Sequence, residues 1–365
     1  MEQPTLRSTD FLEAFEATAS LRRARERRAN AIAPAHPGAG LDSSALLRLE
    51  RELAESVTAL IGADPSPVAQ HVAWHFGIGC DDVSPCGKLL RPRMLIHVAL
   101  DEGGTFDGAL DAALAIELLH NYSLVHDDIE DGDELRRGRQ TVWARYGLSH
   151  GINAGDAVCA VAYLTLLRNS ASLPPDRVLA SARVLQGANL AMCAGQAYDL
   201  EFESASDVSL DAYLAMVDGK TATLFGAACE LGALCAGCDP VRARAYADLG
   251  RAYGRAFQIR DDILGMASDV ARRKWSFPIV WALAGPPSTA RSAIAARYAR
   301  FGALDVSDVT SIAEALDTLG AGRAAATACA EQFRLALRIA QLNRLDRSGT
   351  IRDLFDPARS SKAIA

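Results

Sequence analysis

No apolar run in this chain reaches the roughly 18–20 residues that a bilayer requires, so no membrane span is expected. The opening stretch MEQPTLRSTDFLEAFEA also lacks the charged-then-apolar order of a secretory signal, and a cytoplasmic protein is expected. Basic charge is in deficit: 38 Lys and Arg face 45 Asp and Glu, a formal net charge of −7. A general nucleic-acid surface needs a basic face to displace counterions, so no nucleic-acid partner is expected. The alternating apolar and polar pattern of strands is nearly missing, which argues against a sheet protein.

Cysteine supplies no scaffold either. The eight Cys are scattered through apolar, helix-like sequence, which suits reduced core thiols better than disulfides in a chain this long. Cys235 and Cys238 form a CxxC with no second pair nearby, and His71 and His75 in HVAWH lack the Glu of a metalloprotease helix. Both pairs read as ordinary core or surface residues.

With 365 residues and 50% hydrophobic content, the chain can bury a large core. Ala- and Leu-rich helical patterns follow one another from Leu41 onward. Examples are SSALLRLERELAESVTALI, GALDAALAIELLHNYSLVHDDIED, LDAYLAMVDGKTATLFGAACELGAL, DPVRARAYADLGRAYGRAFQIRDDIL and RKWSFPIVWAL. No compositional break separates them, so residues 41–365 read as one large all-α domain. Residues 1–40 read as an extension, in which the polar helix DFLEAFEATASLRRARERRANAI leads into the Pro- and Gly-dense linker APAHPGAG. Several helices are apolar nearly all round and should be central, surrounded by others.

Against this background the stretch SLVHDDIEDGDELRRGRQT stands out, with acids and then arginines directly after an apolar segment. If the helix continues through its acids, Asp127 and Asp131 lie four residues apart on one face with Asp128 beside them. Carboxylates so placed repel each other. A solvated helix end would explain acids alone, but acids that close an apolar helix should point into a cavity mouth, where a hard divalent cation would relieve the repulsion. Asp261 and Asp262 in GRAFQIRDDILG read as a second acidic pair ending a long helix. Two such carboxylate clusters could hold several Mg2+ ions with a diphosphate as their natural ligand. Lys88, Arg91 and Arg93 in GKLLRPR, and Arg136, Arg137 and Arg139 in ELRRGR, supply cations suited to phosphate oxygens.

These ordered motifs make the chain resemble the trans-isoprenyl diphosphate synthases, also called the polyprenyl synthetase family, over roughly residues 41–342. GKLLRP is similar to the family's isopentenyl diphosphate motif, DDIED to its first aspartate-rich motif and ELRRG to the arginine pair after it. GQAYDL and DGKTATLF are similar to its middle motifs, and FQIRDD to the start of its second aspartate-rich motif. The resemblance implies a bundle of long helices around a central apolar cavity, a homodimer, and substrates that are isopentenyl diphosphate and an allylic diphosphate. It also implies a cofactor of three Mg2+ ions per site, with Mn2+ able to substitute.

By position, the resemblance assigns Lys88, Arg91 and His120 to the diphosphate of isopentenyl diphosphate, with Arg137 assisting. Asp127 and Asp131 would ligate two Mg2+ ions and Asp261 a third, while Asp128 and Asp262 act through bound water. Arg136, Lys220 and Lys274 would hold the allylic diphosphate, and Thr221 and Gln258 would face the reacting carbon. Leu119, Tyr122 and Ser123 would form the wall that stops chain growth. Tyr122, a bulky residue five before Asp127, is similar to the geranylgeranyl type. Geometry alone would not nominate it, because it lies about 140° round an ideal helix from Asp127.

The chain departs from the family at Gly265, where a third Asp is usual, and in MASDVARRKWSFP, a shorter loop without the usual Gly-Lys. The departure keeps open a non-catalytic partner subunit of a heteromeric synthase. A class I terpene cyclase shares the aspartate-rich motif but needs no second diphosphate site, which GKLLRP and His120 provide. A helical protein that merely binds metal leaves the ordered basic motifs unexplained.

Overall fold

The structure, a computed structural model, describes residues 43–61, 66–78, 87–171, 173–300 and 304–355. The expected helix and linker over residues 1–40 lie outside the described residues. What is described is almost entirely helical, as expected, and none of its helices is long and apolar enough to cross a membrane. The chain divides into two compact units. The first comprises the described residues up to Arg183 with Leu231–Asp239 and those from Asp346 on; the second comprises Val184–Glu230 and Pro240–Leu345.

The first unit opens with α1 (Ser43–Ile61), α2 (Pro67–Phe76), α3 (Leu90–Asp101) and α4 (Phe106–Glu130). A two-stranded antiparallel hairpin, β1 (Leu135–Arg136) with β2 (Arg139–Gln140), leads to α5 (Val142–Tyr146) and α6 (Leu148–Leu167). Helix α4 is the central element. Thr105 caps it, its hydroxyl accepting from the Gly108 amide at 3.0 Å, and every residue from Ala109 to Leu119 is buried. The alanines 112, 113 and 115 leave the close approach to which leucines add apolar area, and α6 packs along its length. The helix does run through its acids: Glu130 is its last residue and Asp131 its C-cap.

The chain then passes through α7 (Pro175–Glu203), α8 (Leu210–Val217), a π-helical turn at Asp218–Ala222 and α9 (Thr223–Cys235). It continues as α10 (Pro240–Ala271), α11 (Phe277–Ala284), α12 (Thr289–Tyr298), α13 (Val306–Leu319) and α14 (Ala321–Asn343), before the short α15 (Thr350–Phe355) returns to the first unit. In the second unit α10 packs chiefly on α14. Its core includes Tyr213, Trp275, Phe277, Tyr298 and Leu316.

Three elements differ from the sequence expectation. The stretch LDAYLAMVDGKTATLFGAACELGAL is not one regular helix, because the π turn interrupts it where Gly219 meets α7. The helix bearing Asp261 and Asp262 does not end there but continues to Ala271. Nothing in MASDVA breaks a helix, and the stop comes at Arg273, whose φ of 58° is left-handed. The helix expected over RKWSFPIVWAL begins only at Phe277, with Pro278 in its first turn where a missing N–H costs nothing.

The described cysteines are all free thiols. Cys235 is pushed up to about 12 by burial, the behaviour of an inert core thiol.

Candidate active site

In the first unit the basic motifs are built by local backbone geometry. Arg136 pairs with Arg139, so Arg137 and Gly138 form the two-residue hairpin turn. Their φ values of 52° and 76° are the two positive angles that a type I′ turn demands. A non-glycine residue at positive φ costs roughly 1–2 kcal/mol, so Arg137 sits at the turn despite its backbone preference. Its guanidinium lies against Gly87: a Cβ there would be 2.6 Å from Nη2. Gly87 itself has a φ of +60° and opens the GKLLRP motif. The turn residue and the lysine motif, fifty positions apart in the chain, are thereby adjacent.

Arg91 and Arg137 act electrostatically on both Glu117 and His120 of α4. Burial, reinforced by Arg91, Arg136, Arg137 and His75, holds His120 well below the ordinary histidine range, so its imidazole is neutral. Burial raises Glu117 to about 7, against the pull of Arg91, Asn121 and Arg137.

At the end of α4, Asp128 is buried, and its Oδ1 accepts from Arg136 Nε at 2.6 Å. Its other oxygen, Oδ2, is buried with no hydrogen-bond partner. Burial raises the acid to about 6; Arg136 opposes the shift, while Asp127 and Asp133 add to it. Asp128, Arg136, Arg137, Arg139 and His75 line a small, partly open cleft.

The second unit carries the other residues. Gly195 of α7 presses on the π turn, where a Cβ at 195 would lie 2.1 Å from the Lys220 amide nitrogen and a Cβ at Gly219 would lie 3.0 Å from the Gly195 Cα. Only a glycine pair permits this approach, and it seats the turn. π turns inside helices are rare and recur at functional sites. Lys220 Nζ then pairs with Asp199 at 2.5 Å. Asp218 is held by Arg251 at 2.9 Å and by Arg255 at 2.6 Å.

The Thr221 hydroxyl donates to Gln258 Oε1 at 2.7 Å, and Gln258 Nε2 donates to Asp262 Oδ1 at 2.9 Å. Asp262 Oδ2 accepts from the Tyr213 hydroxyl at 2.5 Å and the Phe277 amide at 2.7 Å. Asp262, grouped by sequence with the metal carboxylates, is thus buried with both oxygens satisfied by protein donors. Asp261 beside it keeps a side chain 44% exposed.

The Lys274 loop is tied down on both sides. Arg273 is buried and donates to the carbonyls of Glu203, Ala205 and Tyr298. The Lys274 amide donates to the Asp269 carbonyl at 2.8 Å.

The structure therefore brings Arg91, His120, Arg136 and Arg137 together in one unit, and Lys220, Thr221, Gln258 and Asp262 in the other. Ser123 bonds the His120 carbonyl at 2.8 Å, Leu119 is fully buried, and Tyr122 stacks edge-on against His126. Asp199, Tyr213, Asp269 and His75 were not singled out as site residues by sequence. Asp199 had a local signal as the acid of GQAYDL, and His75 was read in HVAWH as an ordinary core or surface histidine. Among the described residues no three His, Cys, Asp or Glu side chains are grouped to hold a metal by themselves.

The polyprenyl synthetase family profile matches residues 80–314. The chain belongs to that family. It is 37% identical over 274 residues to (2E,6E)-farnesyl diphosphate synthase of Mycobacterium tuberculosis, covering 72% of this chain and 75% of that one. It is 36% identical over 287 residues to geranylgeranyl diphosphate synthase of the same species, covering 74% and 81%. Among solved structures it is similar to the polyprenyl synthetase of Streptomyces coelicolor, with a TM-score of 0.74, 28% identity, and 85% and 98% of the two chains covered. A geranylgeranyl pyrophosphate synthase gives 0.76 at 26% identity, covering 87% and 97%. The fold is the all-α isoprenoid synthase fold, and the chain is an enzyme of the trans-prenyltransferase class.

Proposed function

We propose that the enzyme condenses isopentenyl diphosphate with an allylic diphosphate (dimethylallyl, geranyl or farnesyl), in the presence of Mg2+, to give chiefly geranylgeranyl diphosphate. The observation that carries this reading is the set of Arg91, His120, Arg136 and Arg137 gathered around α4, whose end carries Asp127 and Asp131. An anion-binding group and a cation-binding group meet on one helix. The relatives' farnesyl and geranylgeranyl names support a short product, and Tyr122 favours the longer of the two.

The acids fit a hard divalent cation. They offer only oxygen donors, and Mg2+ commonly takes one or two carboxylates together with water and substrate phosphate. The partnerless buried Oδ2 of Asp128 is a further acceptor at that helix end. Asp127 and Asp131 would hold two ions and Asp261 a third; Mn2+ would serve in their place. When bound, the ions would neutralise the charge gathering on the departing diphosphate.

The chain's own residues do the rest. Lys88, Arg91, neutral His120 and Arg137 bind isopentenyl diphosphate and fix its double bond for attack on the allylic carbon. Arg136, Lys220 and Lys274 bind the allylic diphosphate. Thr221 and Gln258, hydrogen-bonded to each other, supply fixed dipoles that stabilise the allylic cation without trapping it covalently. Asp262 keeps Gln258 in place. Apolar helix residues exclude water that would quench the cation, and the released pyrophosphate takes the proton from the carbon beside the cation left by the attack, the C–H electron pair becoming the new double bond. The enzyme would work as a homodimer in the cytoplasm.

The test is direct: purified protein with Mg2+, isopentenyl diphosphate and each allylic primer in turn, with products identified by mass. A C20 product is expected. No turnover at any Mg2+ concentration would transfer the assignment to a partner subunit.

A further inference from the structure

The cleft beneath the arginine hairpin contains a histidine that the reaction above does not use. His75, on α2, lines it beside Asp128, Arg136, Arg137 and Arg139. Its Nε2 lies 3.1 Å from Asn121 Oδ1. The orientation of that amide follows from its other end. Asn121 Nδ2 donates to the Glu117 carbonyl at 2.8 Å and to Glu117 Oε1 at 3.1 Å, so both amide hydrogens point at Glu117. Oδ1 is left as the acceptor, and Nε2 of His75 must carry a hydrogen. In the neutral ring the lone pair is then on Nδ1. A buried chain of fixed polarity, His75 to Asn121 to Glu117, locks the tautomer of a ring that lines a cationic cleft.

We propose that His75 is a binding residue for the diphosphate of isopentenyl diphosphate, taking up a solvent proton at Nδ1 as the anion enters while Nε2–H stays bonded to Asn121. The inference rests on the prenyltransferase reading for the identity of the anion. Its physical basis is charge. The groups acting on the ring are Arg136, Arg137 and Arg139 from the hairpin, and Asn121 and His120 from α4; Asp128 lines the same cleft, Glu117 is reached through Asn121, and Arg91 of α3 acts on Glu117 and His120. In the ligand-free protein the cations dominate: burial first, then these three arginines, hold His75 down to about 4, with only the Asn121 bond opposing them. A diphosphate carries several negative charges and reverses the sign of that field. The ring then gains a proton and becomes a cationic donor to phosphate. Phe76 packs edge-on against the ring, with centroids 5.2 Å apart.

The experiment is calorimetric binding of isopentenyl diphosphate to the full chain without metal or primer, in two buffers of different ionisation enthalpy, so it requires no turnover. Wild type should take up close to one proton more than H75Q near neutral pH. The glutamine amide can still donate to Asn121 Oδ1 but cannot titrate, and ionisation of the ligand contributes equally to both proteins. H75Q should bind roughly tenfold more weakly. In turnover its KM for isopentenyl diphosphate should rise by a similar factor, with the KM for the allylic primer changed less than twofold. Equal proton uptake in the two proteins would make Glu117 or the ligand the source and overturn the proposal. An unchanged affinity, or a loss confined to the allylic primer, would overturn it as well. If wild type shows proton-linked binding yet no turnover with any primer, the binding role of His75 stands and the prenyltransferase reading fails.

Discussion

The guanidinium of Arg137 fills the space that a side chain on Gly87 would need, with Nη2 2.6 Å from the position of a Cβ there. The contact explains how a positive-φ arginine in a hairpin turn is aimed at the lysine motif. Gly87→Ala would push Arg137 away and strain a backbone at +60°. The variant should raise the KM for isopentenyl diphosphate by about tenfold, corresponding to about 1.4 kcal/mol, and leave kcat within a few-fold. Steady-state kinetics with each substrate varied in turn checks this, and a purely allylic effect would detach Arg137 from the site assigned to it.

Two adjacent acids should behave in opposite ways. Asp261 is partly exposed, whereas Asp262 accepts from Tyr213, Gln258 and the Phe277 amide. Asp262→Ala strands three donors, those of Tyr213 and Phe277 buried and that of Gln258 half-buried, so it should destabilise the fold by about 3 kcal/mol. Asp261→Ala should leave the unfolding midpoint within about a degree while abolishing condensation and weakening Mg2+ binding. Chemical denaturation alongside a metal titration separates the two. A stable, active Asp262→Ala would show that the network around Gln258 does not position it.

Tyr122 and Leu119 divide similarly. Tyr122 rests edge-on against His126 at 5.1 Å, and His126 fits only because residue 155 is glycine, where a Cβ would lie 2.2 Å from Nε2. Tyr122→Ala should therefore open space without collapsing the helix, and lengthen the product by at least one C5 unit. Leu119 is fully buried, so Leu119→Ala should cost about 2–5 kcal/mol of stability. Product analysis by mass after primer extension decides whether Tyr122 is the floor.

Local signals were legible in the sequence, and distant contacts were not. The helices Ser43–Ile61 and Val306–Leu319 have the limits that their periodicity implies. For the second, the caps are in the sequence: Asp305 accepts from the Asp308 amide, and Gly320 ends the helix at a φ of 72°. The acids of DDIED and the arginines of ELRRG could be read for the same reason, since each motif is a single turn or hairpin. The π turn at Lys220 depends on Gly195, and the end of α10 on a left-handed Arg273 clamped to remote carbonyls. His75, Tyr213 and Asp199 acquire their roles through partners 46, 49 and 21 residues away. No periodicity encodes such pairings.

The last prediction concerns Gly265, where the family usually has an acid. A Cβ at 265 would lie 3.4 Å from Asp269 Oδ2, one turn further along α10. That is ordinary contact distance, so a side chain fits, but a carboxylate would face another carboxylate. Asp269 is already raised to about 6, first by burial and then by Asp262, with Lys274 and Arg272 opposing. A carboxyl whose folded value is raised keeps its proton longer when folded. It therefore costs stability that is absent at pH 3, grows as pH rises from about 4 to about 6, and persists above. Asp269→Asn should accordingly be more stable than wild type at pH 8, by on the order of 1–2 kcal/mol after allowing for solvent screening, and no more stable at pH 3. Gly265→Asp should do the reverse at pH 8, lowering the unfolding midpoint of the metal-free protein. Added Mg2+ should restore that loss and give half-maximal rate at a lower concentration than wild type requires. Unfolding curves at pH 3 and pH 8, with and without Mg2+, test both variants; an unchanged Mg2+ dependence in Gly265→Asp would mean that position 265 does not serve the metal.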